Sequence, residues 1–148
     1  MTRRLPMAPR VVVDLNVLVS GIINDGPPER LVRAAAEGAF ELCISRLMLE
    51  RLRAVLARDK LARYLSPAGR SPQVIADQLE AFCTVVAPLQ LPRPVTGDPE
   101  DDIVLGTALA AEAHCIISGD RRHLLSHGSH EGIPILSPRD AIAAIGLE

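Results

Sequence analysis

Apolar positions along this chain of 148 residues alternate between two rhythms. Short unbroken runs, Val11-Val12-Val13, Cys115-Ile116-Ile117 and Pro134-Ile135-Leu136, read as strands covered on both faces, as in a parallel sheet. Phe40 to Ile44 and Thr84 to Ala87 read as two further strands. Helical spacing fills the intervals: Asn16 to Ile23, Pro27 to Ala36, Arg46 to Leu56 with a more basic piece to Leu65, and Ser71-Pro72 to about Phe82. Asp101 to Ala113 and Ser137-Pro138 to Ile145 complete the helices. Proline in the first turn and Gly38 after Ala36 are the expected start and stop signals. Ser66 to Gly69 reads as a loop, and Leu91-Pro92-Arg93-Pro94 as a stiff connector. The alternation predicts an α/β fold with a mainly parallel central sheet of about five strands.

Composition narrows the picture. The chain is 48% hydrophobic but 2% aromatic, so its core is built from aliphatic side chains. Its length suits one domain spanning 1–148, with residues 1–9 expected as a flexible, Arg-bearing arm. Scarce aromatics exclude base-stacking platforms and aromatic cages. A net charge of −2 provides no global field toward nucleic acid or membrane. Cys43, Cys83 and Cys115 form no CxxC pair, so reduced thiols are expected rather than a zinc knuckle or a disulfide scaffold. The histidines crowd the last third, where a zinc site from His123, His127 and His130 is a minor reading. Arg3-Arg4 before Val11 to Val13 only faintly imitates a signal peptide, since Asp14 and Asn16 interrupt the apolar run. The least polar stretch, Ile103 to Ala111, is too short to span a membrane. A cytoplasmic location is expected.

The carboxylates carry the chemistry. Two apolar runs end in an aspartate, Asp14 and Asp120, and parallel strands bring both to the carboxyl edge, where α/β folds gather functional groups. A third group, Asp98-Pro99-Glu100-Asp101-Asp102, introduces the helix near Ile103. Six acids and no Lys or Arg lie from Asp98 to Asp120. Asp98 to Asp102 have a plain alternative as helix caps and dipole partners, and Asp120 as a cap toward Leu125. Asp14 is harder to assign so, because an acid after a buried strand is costly unless paired or ligated. Converging carboxylates repel, and a divalent cation resolves that. All-oxygen ligands suit Mg²⁺ or Mn²⁺ rather than zinc. Such ions activate water and stabilise the leaving oxygen of a phosphodiester. With no glycine-rich nucleotide loop present, the pattern points to metal-dependent hydrolysis.

Three blocks, Val12-Val13-Asp14-Leu15-Asn16-Val17-Leu18-Val19-Ser20, Asp98 to Ala108 and Ile117-Ser118-Gly119-Asp120-Arg121-Arg122-His123-Leu124-Leu125, resemble a PIN domain in order and spacing. The nearest likeness is to bacterial PIN-family toxins of toxin–antitoxin systems, over about Arg10 to Ile145. The resemblance implies a Rossmann-like three-layer α/β/α fold and a Mg²⁺- or Mn²⁺-dependent endoribonuclease site. It assigns Asp14, Asp101 and Asp120 to the metal, with Asp98 and Asp102 as alternatives to Asp101 and Asn16 as a neighbouring polar position. It also implies a cognate antitoxin and often homodimerisation; partly exposed Phe82, Val85, Val86 and Leu89 would be compatible with such partners.

The chain departs from the family at its second acid, where relatives usually carry Glu before the leucine matching Leu52. Here that position is Arg51, with Glu50 one residue earlier. Taking Leu47 as zero and about 100° per residue, Met48, Val55 and Leu52 fall at about 100°, 80° and 140°. Arg51 falls at about 40°, within that apolar arc, and Glu50 at about 300°, outside it. Glu50 therefore reaches the site only if the helix start is rotated. The guanidinium of Arg51 is expected among Asp14, Asp101 and Asp120, partly replacing the cation.

Arg46 to Arg63 carries a local charge of +4, with Arg51, Arg53 and Arg58 as candidate contacts to an RNA backbone, to which Arg3, Arg4 and Arg10 could add. The first reading is a metal-dependent endoribonuclease acting as a toxin. The second is a catalytically impaired PIN-like module that binds RNA or protein, and the third is a structural α/β domain whose acids are caps.

Overall fold

The computed structural model describes residues 5–65, 69–120 and 124–147. Among these, six strands form one sheet: β1 (Arg10–Val13), β2 (Glu41–Ser45), β3 (Thr84–Val86), β4 (Cys115–Ile117), β5 (Ser129–His130) and β6 (Ile133–Leu136). Their order is β3-β2-β1-β4-β6-β5, and every pairing is parallel except β5 with β6. The helices are α1 (Leu15–Ile23), α2 (Pro27–Ala36), α3 (Arg46–Leu56), α4 (Asp59–Leu65), α5 (Pro72–Phe82), α6 (Pro99–Ala111) and α7 (Pro138–Ile145). The result is a three-layer α/β/α fold. Helix α6 packs across β1 to β4, while α1 packs on α2 and α3, α2 on α5 and α7, and α3 on α5.

The sheet exceeds the expected five strands by β5, whose two residues are too few to show a periodicity. Helix α6 begins two residues earlier than its apolar spacing suggests. Asp98 is the N-cap, its carboxylate accepting from the Glu100 N–H at 2.9 Å, and Pro99 occupies the first turn. The helix ends at Glu112, in the left-handed region at φ 50°. Within the expected arm, the Leu5 N–H donates to the Ala144 carbonyl at 2.8 Å and Leu5 packs against the core, while Pro6, Met7 and Ala8 are exposed. Arg3 and Arg4, most of the loop at 66–68, and Arg121, Arg122 and His123 lie outside the described residues.

Val11, Val12, Val13, Cys115, Ile116 and Ile117 are buried, as the strand with neighbours on both edges and helices on its faces must be. The core is aliphatic, with Phe40 buried, Phe82 half-buried and Tyr64 exposed. Cys43 and Cys115 are buried and Cys83 half-buried, all free; burial pushes their thiols up to about 11 for Cys43 and about 12 for the other two. These are inert core thiols rather than reactive ones. No helix among the described residues is long and apolar enough to cross a membrane.

Close approach requires glycine at Gly21, against Pro28 of α2, and most tightly at Gly106. A Cβ at Gly106 would collide with the Leu89 carbonyl oxygen, and the Leu89 N–H donates to the Gly106 carbonyl at 3.0 Å. The chain leaving β3 is thereby laid directly on α6 before it turns back to Asp98.

Candidate active site

Strand order reverses between β1 and β4: β2 and β3 lie to one side of that pair, β6 and β5 to the other. A crevice at the carboxyl end of such a switch point is where open α/β folds place their ligands. Asp14 directly follows β1, and Ser118-Gly119-Asp120 directly follow β4.

Asp14 is 4% exposed. It caps α1, one oxygen accepting from the Val17 N–H at 3.0 Å, while the other accepts from the Ser118 hydroxyl. Burial raises its carboxyl above the usual range; those two donors oppose the rise, and the charge of Asp120 adds to it. Ser118 is fully buried and serves both neighbours, donating to Asp14 and accepting from the Asp120 N–H at 2.9 Å. One hydroxyl therefore ties the ends of β1 and β4 together. The sequence shows Ser118 only as part of the motif that leads to Asp120; its signal is a hydroxyl two residues before an acid after a buried run.

Asp101 enters from the first turn of α6. Its carboxyl is raised to about 7, first by burial, then by contact with the Asp120 carboxyl and by the charges of Asp120, Asp98 and Asp14. Its Oδ2 is buried and has no hydrogen-bond partner among the described residues. The fold thus gathers Asp14, Asp101 and Asp120 into one electrostatic neighbourhood.

The flanking acids have structural occupations. Asp98 caps α6. Asp102 accepts from the Thr96 N–H at 2.9 Å, the Thr96 hydroxyl at 2.8 Å and the Val95 N–H at 3.2 Å. Burial works against its charge, but these donors outweigh it and hold the carboxyl below its usual range. Asp102 clamps the loop before α6, leaving Asp101 as the acid of this turn that faces Asp120.

Helix α3 differs from expectation in register. Its buried positions are Met48, Leu49, Leu52 and Leu56, whereas Leu47 is 52% exposed. The buried arc is centred near Leu52, and Arg51 lies at its margin rather than within it. The expected insertion of Arg51 among the aspartates is not what the structure has: its Nε pairs with Glu100 Oε1 at 2.8 Å, with both side chains 55% exposed. Glu50 is exposed. Arg53 is turned to α5, pairing with Asp77 at 2.7 Å and Glu80 at 2.8 Å, and Arg46 joins Glu80 at 3.3 Å. Arg58 and Asn16 are exposed, Asn16 two residues after Asp14.

A metal can be tested against this donor set. Among the described residues no three His, Cys, Asp or Glu side chains are gathered so as to hold a metal ion by themselves, which covers the minor zinc reading for His127 and His130; His123 lies outside them. Mg²⁺, however, is commonly held by one or two carboxylates, the remaining positions being water and substrate phosphate. The contacting Asp101 and Asp120, with the orphaned Oδ2 and adjacent Asp14, fit that pattern.

A PIN domain family model matches residues 10–122, from the first residue of β1 to just past Asp120. No curated protein matches the chain significantly. PIN domains are generally nucleases that use divalent metals. The match covers more than half of the chain and spans all three aspartates, in a fold with the expected sheet: this chain belongs to the PIN domain family.

Proposed function

We propose that this protein is a Mg²⁺- or Mn²⁺-dependent endoribonuclease that hydrolyses RNA phosphodiester bonds, with Asp14, Asp101 and Asp120 as the residues that hold the cation. Asp101 carries the reading: a carboxyl held up to about 7 beside other acids, with one buried oxygen that no donor among the described residues meets. Among those residues it is surrounded by like charge, which a cation would relieve. When bound, the cation neutralises the acids and the phosphate and lowers the pKa of water.

The chain's own residues supply placement. Ser118 and the first turn of α1 fix both oxygens of Asp14, and Ser118 also fixes the backbone of Asp120. Asp98 and Asp102 lock the turn that presents Asp101. Near neutral pH Asp101 is partly protonated, so a cation held there would be favoured as pH rises. Asn16 and Arg51, exposed at the margin, are the polar groups offered to a phosphate backbone.

Cleavage of total RNA with Mn²⁺ tests the reading. Wild type is expected to cut and to stop in EDTA, while Asp14→Asn and Asp101→Asn should fall at least about 10–100-fold, the loss usual even for outer partners of a metal site. Calorimetric Mn²⁺ binding should weaken in parallel. RNA left intact by wild type with either metal would overturn the proposal. The toxin role, a cognate antitoxin and a homodimer rest on the motif resemblance alone. Growth arrest on expression, relieved by an adjacent gene's product, is the expected outcome.

A further inference from the structure

We infer that Arg51 is an exchangeable phosphate contact: the free protein parks its guanidinium on Glu100, and RNA draws it onto a phosphate beside the one that is cut. The inference rests on the endoribonuclease reading for its substrate. Its geometry is independent of the metal.

Three observations meet at Arg51. First, α3 splits its arginines between two sides. Arg46 and Arg53 are committed to Glu80 and Asp77 of α5, whereas Arg51 faces α6 and engages Glu100. Second, the pair sits beside the acids. Glu100 immediately precedes Asp101, and together with Arg51 it lines a slot walled by Leu15, Leu47, Ile103 and Val104, of which Leu15 immediately follows Asp14. Third, the pair is easily exchanged. Arg51 Nε meets Glu100 Oε1 at 2.8 Å, and both side chains are 55% exposed, where an ion pair in water contributes little net stability.

A phosphate can compete with a solvated Glu for that guanidinium, because the guanidinium fork can take two phosphate oxygens at once. Glu100 lies in a tract of six acids with no Lys or Arg from Asp98 to Asp120, and that negative field holds Arg51 at the rim of the site in the free protein. A bound phosphate supplies the competing anion. Leu47, 52% exposed, leaves the slot open along α3 on the same side as Arg51.

The test reads RNA binding and cleavage separately. Binding of a labelled single-stranded RNA, followed by anisotropy in Ca²⁺ from about 50 to 200 mM salt, should show a log–log slope shallower by about 0.7 in Arg51→Ala, one phosphate's worth on a single strand. Arg51→Lys should restore the slope. In Mn²⁺, Arg51→Ala should raise KM several-fold with a smaller change in kcat, and Glu100→Gln should lower KM by freeing Arg51. If Arg51→Ala keeps the wild-type slope and KM while wild type cuts RNA, the exchange is wrong and the nuclease reading stands. If wild type binds RNA without cutting it, the nuclease reading fails and the slope still decides for Arg51. Absence of RNA binding by wild type overturns the exchange as well.

Discussion

Asp101 is the residue whose charge the fold resists most visibly, and that resistance has a sign. A carboxyl raised to about 7 holds its proton more tightly in the folded chain than in the unfolded one, where Asp titrates near 3.9. Its contribution to stability is whole below about pH 4 and is lost as pH rises toward and through about 7. In EDTA, Asp101→Asn should therefore raise the melting temperature at pH 8, with the gain shrinking to nothing near pH 4. A divalent cation bound by the same acids acts in the opposite sense, so Mg²⁺ should stabilise wild type more at pH 8 than at pH 5. Ser118 is the second residue to test. Ser118→Ala leaves buried Asp14 without one of its donors, a loss of about 1–3 kcal/mol, readable by urea denaturation. If the hydroxyl also orients Asp14 toward a metal, activity should fall about 10–100-fold, as for other outer partners.

At the scale of elements, the loop before α6 is what brings Asp101 to the sheet edge. Its backbone is pressed on the helix at Gly106 and clamped by Asp102. Gly106→Ala should cost about 1–3 kcal/mol as an overpacking change, checked by denaturant midpoint, because backbone rather than a flexible side chain must yield. Most elements are legible from apolar spacing, since strands buried on both faces and helices opened by Ser-Pro or Pro-Pro leave strong local patterns. Two features are not. Strand β5 exists only through its pairing to β6, and two residues carry no period. The register of α3 is misread because Leu47, apolar and exposed, borders the slot beside α6 instead of packing inward. That one residue rotates the apparent apolar arc toward Arg51. The positions of Asp14, Asp101 and Asp120 follow from strand ends and motif spacing. Ser118 and the division of Asp98, Glu100, Asp101 and Asp102 into cap, exposed charge pair, site acid and loop clamp depend on side-chain partners no pattern reveals.

For the whole molecule, a net charge of −2 conceals an acidic tract from Asp98 to Asp120 and a basic stretch from Arg46 to Arg63. Among the described residues, the ion pair between Arg51 and Glu100 joins the two zones, while Arg46 and Arg53 are spent on α5. Removing Arg53 should therefore loosen α3 against α5 slightly and leave the salt dependence of RNA binding at its wild-type slope, a contrast with Arg51→Ala measured in the same anisotropy assay. The hydroxyl link between Ser118 and Asp14 spans 104 positions of chain. Contacts of such long range form late, because the closure entropy of the intervening loop must be met before the contact contributes. During synthesis from the N-terminus, β1 is exposed long before β4 exists, so Asp14 spends most of translation without Ser118 or Asp120. On the proposed reading, a nascent chain lacks an assembled acid cluster, and the site is completed only when the middle of the sheet closes.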